Sequence, residues 1–300
     1  MTAPSPRSAK DIMVVNLVTL TPETDVFQGI DRLLENRVTG APVIDASGRY
    51  LGMFSEQCCM ATLTEAARVS DVRNIRAKHL MSTGLLTFGP DTDACDAIKQ
   101  LLHHRVSGAP VVDEVGCYLG SFSEKTSMRM LLDAIYEQRP VGTVAAHMDP
   151  TSERLIDEDT DFNSMVEIFL KTVLRRLPVI QDGILIGQVS RRDVLKAAQV
   201  LRRGGSLQVI DSDNRPLVRD IMDLTARTVC ADEQLLSIVQ IFDETWLRRL
   251  PVLAPDRALL GQISRRDVLK TTLALTEAQP TREKAMLYLS ALLTKEEAPI

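Results

Sequence analysis

A short apolar stretch centred on a Pro-Val pair occurs four times in this chain, and this repetition constrains the fold more than any other feature. The prolines are Pro42, Pro110, Pro178 and Pro251, so successive copies are 68, 68 and 73 residues apart. A Gly-x-apolar-Ser sequence follows each proline by nine or ten residues, beginning at Gly52, Gly120, Gly187 and Gly261. Self-similarity at a nearly fixed period indicates that one structural unit is repeated four times.

Each copy predicts the same order of elements. In the first copy, residues 17–22 suit a short strand, and residues 26–38 carry apolar side chains at the period of a helix. Residues 41–45 and 50–55 then predict two strands joined by a turn, and a second helix begins at the serine. The predicted fold class is α/β (α+β), with repeats of strand-helix-strand-strand-helix type. A unit of about 60–70 residues buries so little surface that it is only marginally stable alone, so we expect the units to pair.

The repeats divide the chain into four domains and a tail. We place them at residues 1–68, 69–136, 137–201 and 202–275, with a C-terminal helical tail at 276–300. The Gly- and Asp-rich stretch at 202–216 accounts for the longer last spacing and predicts a loop or short hairpin. Residues 281–295 are amphipathic at helical spacing, which favours packing on this chain or a dimer partner over packing on a membrane.

Composition excludes several classes of protein. The 300 residues are 45% hydrophobic and carry a net charge of −5, which disfavours general nucleic-acid binding. Five cysteines without a C-x-x-C sequence argue against a disulfide framework or a zinc site and favour a reducing cytoplasm. No apolar run approaches the ~18 residues that span a bilayer. No nucleophile–base pair, metal cluster or phosphate-binding Gly-rich loop is evident, so we predict a cytoplasmic protein that is not an enzyme.

The strongest internal identity is a decapeptide, GQVSRRDVLK at 187–196, which returns as GQISRRDVLK at 261–270. In each, a serine is placed to cap a helix, and an aspartate stands at the third helical position, which is close to a capping box: Ser190 with Asp193, and Ser264 with Asp267. This purely structural interpretation leaves the two arginines of each helix start unexplained. Cations at a helix N-terminus are unfavourable by about 0.3–1 kcal/mol each.

The arginines indicate an anion. A helix N-terminus is a natural phosphate site, and guanidinium groups bind phosphate oxygens in a forked geometry that lysine cannot match. Two further Arg-Arg pairs stand just before the Leu-Pro-Val strands of the third and fourth repeats. The eight residues are Arg175, Arg176, Arg191, Arg192, Arg248, Arg249, Arg265 and Arg266. Because adjacent residues on one element point apart, we expect at most about half of them to contact one ligand.

The element order and the G-x-apolar-S/T-x-x-D signature resemble the CBS domain family, named for cystathionine β-synthase, over about residues 9 to 271. The resemblance implies that repeats 1 and 2 form one pair about a pseudo-twofold axis, and repeats 3 and 4 another. It also implies clefts that bind adenosyl compounds such as AMP, ADP, ATP, NAD or S-adenosylmethionine. Asp193 and Asp267 would accept the ribose hydroxyls, and Ser190 and Ser264 would contact phosphate or ribose.

The resemblance also bears on the Arg-Arg pairs. In some members of the family a His-Arg pair before the Pro-Val strand reaches phosphates, and here Arg175-Arg176 and Arg248-Arg249 stand at that place. The arginine pairs support phosphate binding. Because the histidine is missing, the resemblance does not indicate which nucleotide is preferred. Magnesium would enter together with ATP. The adenine is expected between apolar strands, at positions that core packing explains equally well: Ile156, Val179, Val229 and Val252.

Repeats 1 and 2 depart from this pattern. Their signature positions read Ser55-Glu56-Gln57-Cys58 and Ser123-Glu124-Lys125-Thr126, without the aspartate or the first arginine. The Arg-Arg pairs become Thr39-Gly40 and Ser107-Gly108. A glutamate suits a helix start and would repel a phosphate. We therefore interpret the N-terminal pair as structural, as a protein-interaction unit, or as a site for a different ligand.

These observations predict a stand-alone regulatory module that binds AMP, ADP or ATP in the cleft of repeats 3 and 4 and senses energy or metabolites. The expected partners are the adenosyl ligand, a second copy of the chain in a homodimer, and an unidentified regulated protein. The alternative is a ligand-free protein-interaction scaffold in which Ser-x-x-Asp only caps helices. A nucleotide hydrolase is disfavoured because no general base is evident. Whether the two pairs pack together within one chain or across a dimer stays open.

Overall fold

A computed structural model describes residues 8–15, 17–66, 74–128, 142–150, 155–172, 174–203 and 216–277. The helix expected at 281–295 and residues 204–215 of the expected loop lie outside this part of the chain. Within it, the molecule consists of four copies of one unit. No helix of the described residues is long and apolar enough to cross a membrane.

The first two repeats contain the same elements in the same order. Repeat 1 comprises α1 (Ala9–Ile12), α2 (Val26–Glu35), β1 (Gly40–Ile44), β2 (Tyr50–Ser55) and α3 (Glu56–Ala66). Repeat 2 comprises α4 (Ala77–Leu80), α5 (Ala94–His103), β3 (Gly108–Val112), β4 (Tyr118–Ser123) and α6, which is helical over 124–128.

The last two repeats follow the same plan. Repeat 3 comprises a 3-10 turn (Val144–Ala146), α7 (Phe162–Lys171), β5 (Arg176–Gln181), β6 (Ile184–Ser190) and α8 (Arg191–Arg203). Repeat 4 comprises α9 (Val218–Ile221), β7 (Val229–Cys230), α10 (Leu235–Glu244), β8 (Arg249–Leu253), β9 (Leu259–Ser264) and α11 (Arg265–Glu277). Helices and small sheets alternate throughout, which confirms the predicted fold class.

The first strand of each repeat is shorter than the sequence predicts. It is a single parallel bridge in three repeats, such as Leu20 with Val43, and only β7 forms a two-residue strand. In the first two repeats, Pro22 and Pro90 follow within two residues of the bridge. Proline has no backbone N–H to donate to a ladder, so the strand ends there.

Each pair is held together by an exchange of segments. The start of every repeat bridges to the second hairpin strand of its partner: Val14 with Ser121, Ser82 with Met53, Asp149 with Gln262, and Asp223 with Gln188. A Cβ atom on Gly261 would lie 2.5 Å from the Asp149 carbonyl oxygen. The glycine of the Gly-x-apolar-Ser motif therefore leaves room for the crossing backbone. The predicted pairing of repeat 1 with 2, and of repeat 3 with 4, is confirmed.

The two pairs pack against each other within one chain. One core joins repeats 1 and 3 and contains Phe54 and Phe169, and a second joins repeats 2 and 4 and contains Phe122 and Phe242. Burial of each such side chain contributes about 1.5–3 kcal/mol. Helix α3 lies against α7 and α8, and α5 lies against α11. This answers the question that the sequence left open, whereas the homodimer stays a prediction.

Candidate ligand-binding site

The repeated decapeptide forms a complete capping box at the start of α8. Ser190 donates its backbone N–H and its hydroxyl to Asp193 Oδ2, at 2.9 and 2.5 Å, and Asp193 N–H donates to Ser190 Oγ at 3.3 Å. Ser264 and Asp267 form the same three bonds at the start of α11, at 2.9, 2.5 and 3.4 Å. Both aspartates are half-buried, and Oδ1 of each accepts no hydrogen bond from the described residues.

The first arginine of each helix start closes the end of another helix. Arg191 Nη2 donates to the carbonyls of Phe169 and Thr172 at 2.9 and 2.8 Å, at the end of α7. Arg265 Nη2 donates in the same way to Phe242 and Thr245, at 3.0 and 2.9 Å, at the end of α10. These carbonyls have no partner within their helix, and a cation there also offsets the negative helix end.

This arrangement was not foreseen from the sequence. Arg191 and Arg265 are only 3% and 4% exposed, and burial lowers the pKa of each to about 10, so both stay charged at neutral pH. Their phosphate contact remains a prediction, and in this structure their Nη2 groups are committed to helix carbonyls. The signal in the sequence was the presence of an arginine at this position, because the free carbonyl groups of a buried helix end need a hydrogen-bond donor.

Arg175 and Arg248, the first residues of the two Arg-Arg pairs, meet where all four repeats come together. Arg175 Nη1 and Arg248 Nη2 donate to the same oxygen, Thr39 Oγ1, at 2.8 and 3.0 Å. Arg248 also donates to Ser107 Oγ. Thr39 and Ser107 occupy in repeats 1 and 2 the positions that the arginines occupy in repeats 3 and 4. Equivalent positions of the four repeats therefore converge.

The surroundings of these two arginines indicate an internal cleft. Desolvation lowers the pKa of Arg175 and of Arg248, and for Arg248 the charge of Arg175 adds to this effect. By its accessible surface, however, Arg175 is exposed, and Arg248 is half-buried. Protein atoms crowd around both guanidinium groups while water still reaches them, as on the wall of an open cleft. The second residues of the pairs point elsewhere: Arg176 Nη1 donates to Gln188 Oε1 on β6 at 3.1 Å, and Arg249 has the equivalent place on β8.

The second arginines of the helix starts face glutamates of the N-terminal pair. Arg192 Nε lies 3.6 Å from Glu56 Oε1, and Arg192 Nη2 donates to the Val38 carbonyl at 3.1 Å. Arg266 Nη2 donates to Glu124 Oε1 at 3.4 Å. The glutamates are only 4% and 5% exposed, whereas the side chains of Arg192 and Arg266 are 22% and 28% exposed, so both ion pairs are partly buried between the two pairs of repeats. Burial raises the pKa of Glu56, and Arg192, Arg175 and Arg248 oppose that rise.

Together these groups form what we call the central arginine cluster: Arg175, Arg191, Arg192, Arg248, Arg265 and Arg266. Its six positive charges face Glu56, Glu124 and the two capping aspartates, and Asp243 also acts on Arg265, so the arginines still outnumber the carboxylates. Concentrated like charge that is partly shielded from bulk water is unfavourable unless it is paired. The cluster is therefore suited to bind an anion, although the protein as a whole is acidic.

The apolar positions expected near an adenine lie mainly in the cores. Val179 and Val252 have no accessible surface, Ile156 is buried, and the pairs Ile156–Val179 and Val229–Val252 are parallel β-bridges. An open cavity of about 430 Å³ lies beside them, lined by residues 185–187, 224, 226, 228–230, 253–255 and 257. Ligand cavities commonly have this size. Of its lining residues, Gly187 is the one nearest in sequence to Ser190, which it precedes by three residues, or about 10 Å of strand. The sequence did not reveal it.

Two pairs of strand-helix-strand-strand-helix repeats with exchanged starts define a class of protein, and the comparison with known families agrees. The CBS domain model matches residues 9–65, 72–126, 151–200 and 218–273. The chain belongs to the CBS domain family and carries four of its domains.

Two similar proteins share the four-repeat fold. The uncharacterized protein MJ1225 of Methanocaldococcus jannaschii is 22% identical over 85% of this chain and 94% of its own length. Its crystal structure is described as that of a proposed archaeal homolog of g-AMPK. That structure matches this one with a TM-score of 0.79 at 19% identity, and the match covers 88% of this chain and 99% of that chain. An uncharacterized conserved protein from Pyrococcus horikoshii has a TM-score of 0.57 at 19% identity over 89% of this chain and all of its own.

A third relative is similar in sequence over part of its length. The chloroplastic CBS domain-containing protein CBSX1 of Arabidopsis thaliana is 27% identical over 63% of this chain and 62% of its own. At these identities the similarities establish the fold and carry no ligand over to this chain.

Proposed function

We propose that this chain is a regulatory module that binds an adenine nucleotide, AMP, ADP or ATP, in the cleft of repeats 3 and 4. The observation that carries the proposal is the excess positive charge of the central arginine cluster. It lies beside two helix starts with half-buried aspartates, and an open cavity large enough for a base begins about one short strand away.

Each part of the proposed site has a separate role. Arg175 and Arg248 would bind phosphate oxygens, because their guanidinium groups already converge on one hydroxyl. Oδ1 of Asp193 or Asp267 would accept a ribose hydroxyl while Oδ2 stays with the capping serine. The base would enter the cavity beside β6, with Val179 and Val252 behind its wall as core residues. Arg191 and Arg265 would hold the ends of α7 and α10 in place. Magnesium would accompany ATP.

Regulation requires that the ligand distinguish two states of the protein. A ligand shifts a conformational equilibrium only as far as its affinities for the two states differ. The proposed site lies at the junction of the two pairs, so a change in how the pairs pack would alter its geometry. We still predict from the sequence that the protein is a cytoplasmic homodimer, that it acts on another protein and that it is not an enzyme.

One observation favours the alternative function of a ligand-free scaffold. Both capping boxes are complete without any ligand, with hydroxyl-to-carboxylate distances of 2.5 Å. A motif that only caps a helix would look the same. The two functions differ in what happens when nucleotide is added, and a binding experiment separates them.

The test is a calorimetric titration of nucleotide-stripped protein with AMP, ATP and S-adenosylmethionine. We expect saturable binding of AMP or ATP, weakened in the Asp193→Ala/Asp267→Ala double variant. The control is Asp93→Ala, which removes the N-cap of α5 and no residue of the proposed site, and should leave the affinity unchanged. Absence of heat with all three ligands would support the scaffold. Unchanged affinity in the double variant would overturn the ribose-acceptor assignment.

A further inference from the structure

The two pairs carry opposite charges at equivalent positions. Glu56 and Glu124 directly follow the signature serines of repeats 1 and 2, and Arg191 and Arg265 directly follow those of repeats 3 and 4. A glutamate in a first helical turn is unremarkable on a surface, but these two are almost fully buried. They lie against Arg192 and Arg266 of the other pair. The opposite charges of the two halves therefore meet inside the molecule.

The ion pairs are loose enough to be exchanged for another anion. Glu56 Oε1 lies 3.6 Å from Arg192 Nε, and Glu124 Oε1 lies 3.4 Å from Arg266 Nη2. Charge-assisted hydrogen bonds of this kind are ordinarily about 2.7–2.9 Å long. Arg266 Nε is buried and has no partner among the described residues. A phosphate oxygen could therefore make a shorter bond to either arginine than the glutamate does.

The glutamates also act on the arginines at the centre. The negative charge of Glu56 and of Glu124 favours the charged form of both Arg175 and Arg248, the groups that converge on Thr39. A phosphate group bound there would face the same two carboxylates and would be repelled by them. The two carboxylates and the phosphate would thus compete for the same positively charged arginines.

We propose that Glu56 and Glu124 act as built-in anions that compete with ligand phosphates for the central arginine cluster. The N-terminal pair thereby sets how tightly the C-terminal pair holds a phosphate-bearing ligand. This inference rests on the proposed function insofar as it takes the cluster to be a phosphate site. The coupling is reciprocal: a ligand that takes the arginines loosens the contact between the pairs, and any partner that draws the N-terminal pair away tightens ligand binding.

The competition is tested with the Glu56→Gln/Glu124→Gln double variant and with inorganic pyrophosphate, AMP and adenosine as probes. Glutamine keeps the shape of glutamate and removes its charge. We expect the affinities for pyrophosphate and AMP to rise by at least about fivefold, the lower end of typical coupling between sites. Adenosine, which has no phosphate, should bind as it does to the unmodified protein. Glu35→Gln/Glu114→Gln, at two exposed sites, controls for the change in net charge.

The outcomes separate this inference from the proposed function. If the unmodified protein binds AMP and the double variant binds AMP and pyrophosphate no more tightly, the competition is refuted and the nucleotide function stands. If no adenosyl ligand binds and pyrophosphate still binds the double variant more tightly, the competition stands and the nucleotide function fails. An equal gain for adenosine would also overturn the competition, because the effect would then not depend on phosphate.

A second pair of variants covers the case in which the glutamine variants do not fold. Glu56→Asp and Glu124→Asp keep the charge and withdraw it from the arginines by one methylene group. Pyrophosphate should again bind more tightly than to the unmodified protein. Equal or weaker binding by both variants would contradict the proposal.

Discussion

Arg191 donates a 2.9 Å hydrogen bond to the carbonyl oxygen of Phe169, and so joins the start of α8 to the end of α7. Both residues belong to repeat 3 and are buried, and Phe169 is fully enclosed. A residue that the sequence suggested as a phosphate ligand therefore completes the hydrogen bonding of a helix end. The equivalent bond from Arg265 to Phe242 shows that the arrangement belongs to the repeat and not to one site.

Arg191→Met should destabilise the protein, because the carbonyls at the end of α7 lose their donor. A buried polar group left without a partner costs about 1–3 kcal/mol, which we expect as a decrease in the free energy of unfolding in urea. Lys196→Met, on the exposed face of α8, is the matched control and should change little. Equal stability of the two variants would show that the guanidinium group has no capping role.

Gly261→Ala should weaken the pairing of repeats 3 and 4. The added Cβ would lie 2.5 Å from the Asp149 carbonyl oxygen, so the crossing segment would have to move. Such overpacking typically costs about 1–3 kcal/mol, which thermal or urea unfolding would detect. Gly89→Ala is the comparison, because a Cβ there meets its nearest neighbour at 3.7 Å. Similar losses in both variants would refute the explanation that Gly261 leaves room for the crossing backbone.

Glu56 should make the stability depend on pH. Burial raises its pKa in the folded protein above the ordinary value of 4.5, so the folded chain holds this proton to a higher pH than the unfolded chain. The resulting stabilisation is fully present below the unfolded pKa and is lost as the pH rises through the folded pKa. The stability of the unmodified protein relative to Glu56→Gln should therefore fall between pH 4.5 and the raised pKa.

The measurement is urea unfolding of the two proteins at a series of pH values. Glu35→Gln serves as the exposed comparison. Parallel stability curves for the unmodified protein and Glu56→Gln would contradict the prediction.

The sequence by itself determined the repeat, the order of elements and the capping boxes. The capping boxes depend on contacts between residues that are close in sequence. The repeat and the order of elements depend on a sequence period that recurs along the chain. Ser190 and Asp193 are three positions apart, so their mutual hydrogen bonds follow from the start of a helix. The pairing of repeats followed from the resemblance to the CBS family, and Gly261 shows its physical basis. The first strands were overestimated, and in repeats 1 and 2 the prolines Pro22 and Pro90 end them early.

Only the tertiary structure decided which of these residues meet. Arg248 and Thr39 are 209 positions apart, and Arg192 and Glu56 belong to different pairs. Their contacts depend on how two preformed pairs pack, which follows from the burial of apolar helix faces of repeats 1 and 3 and of repeats 2 and 4. That burial is non-directional and is shared among many side chains, so no local pattern encodes it. A glutamate that the sequence suggested would repel a phosphate therefore became, on folding, the partner of an arginine.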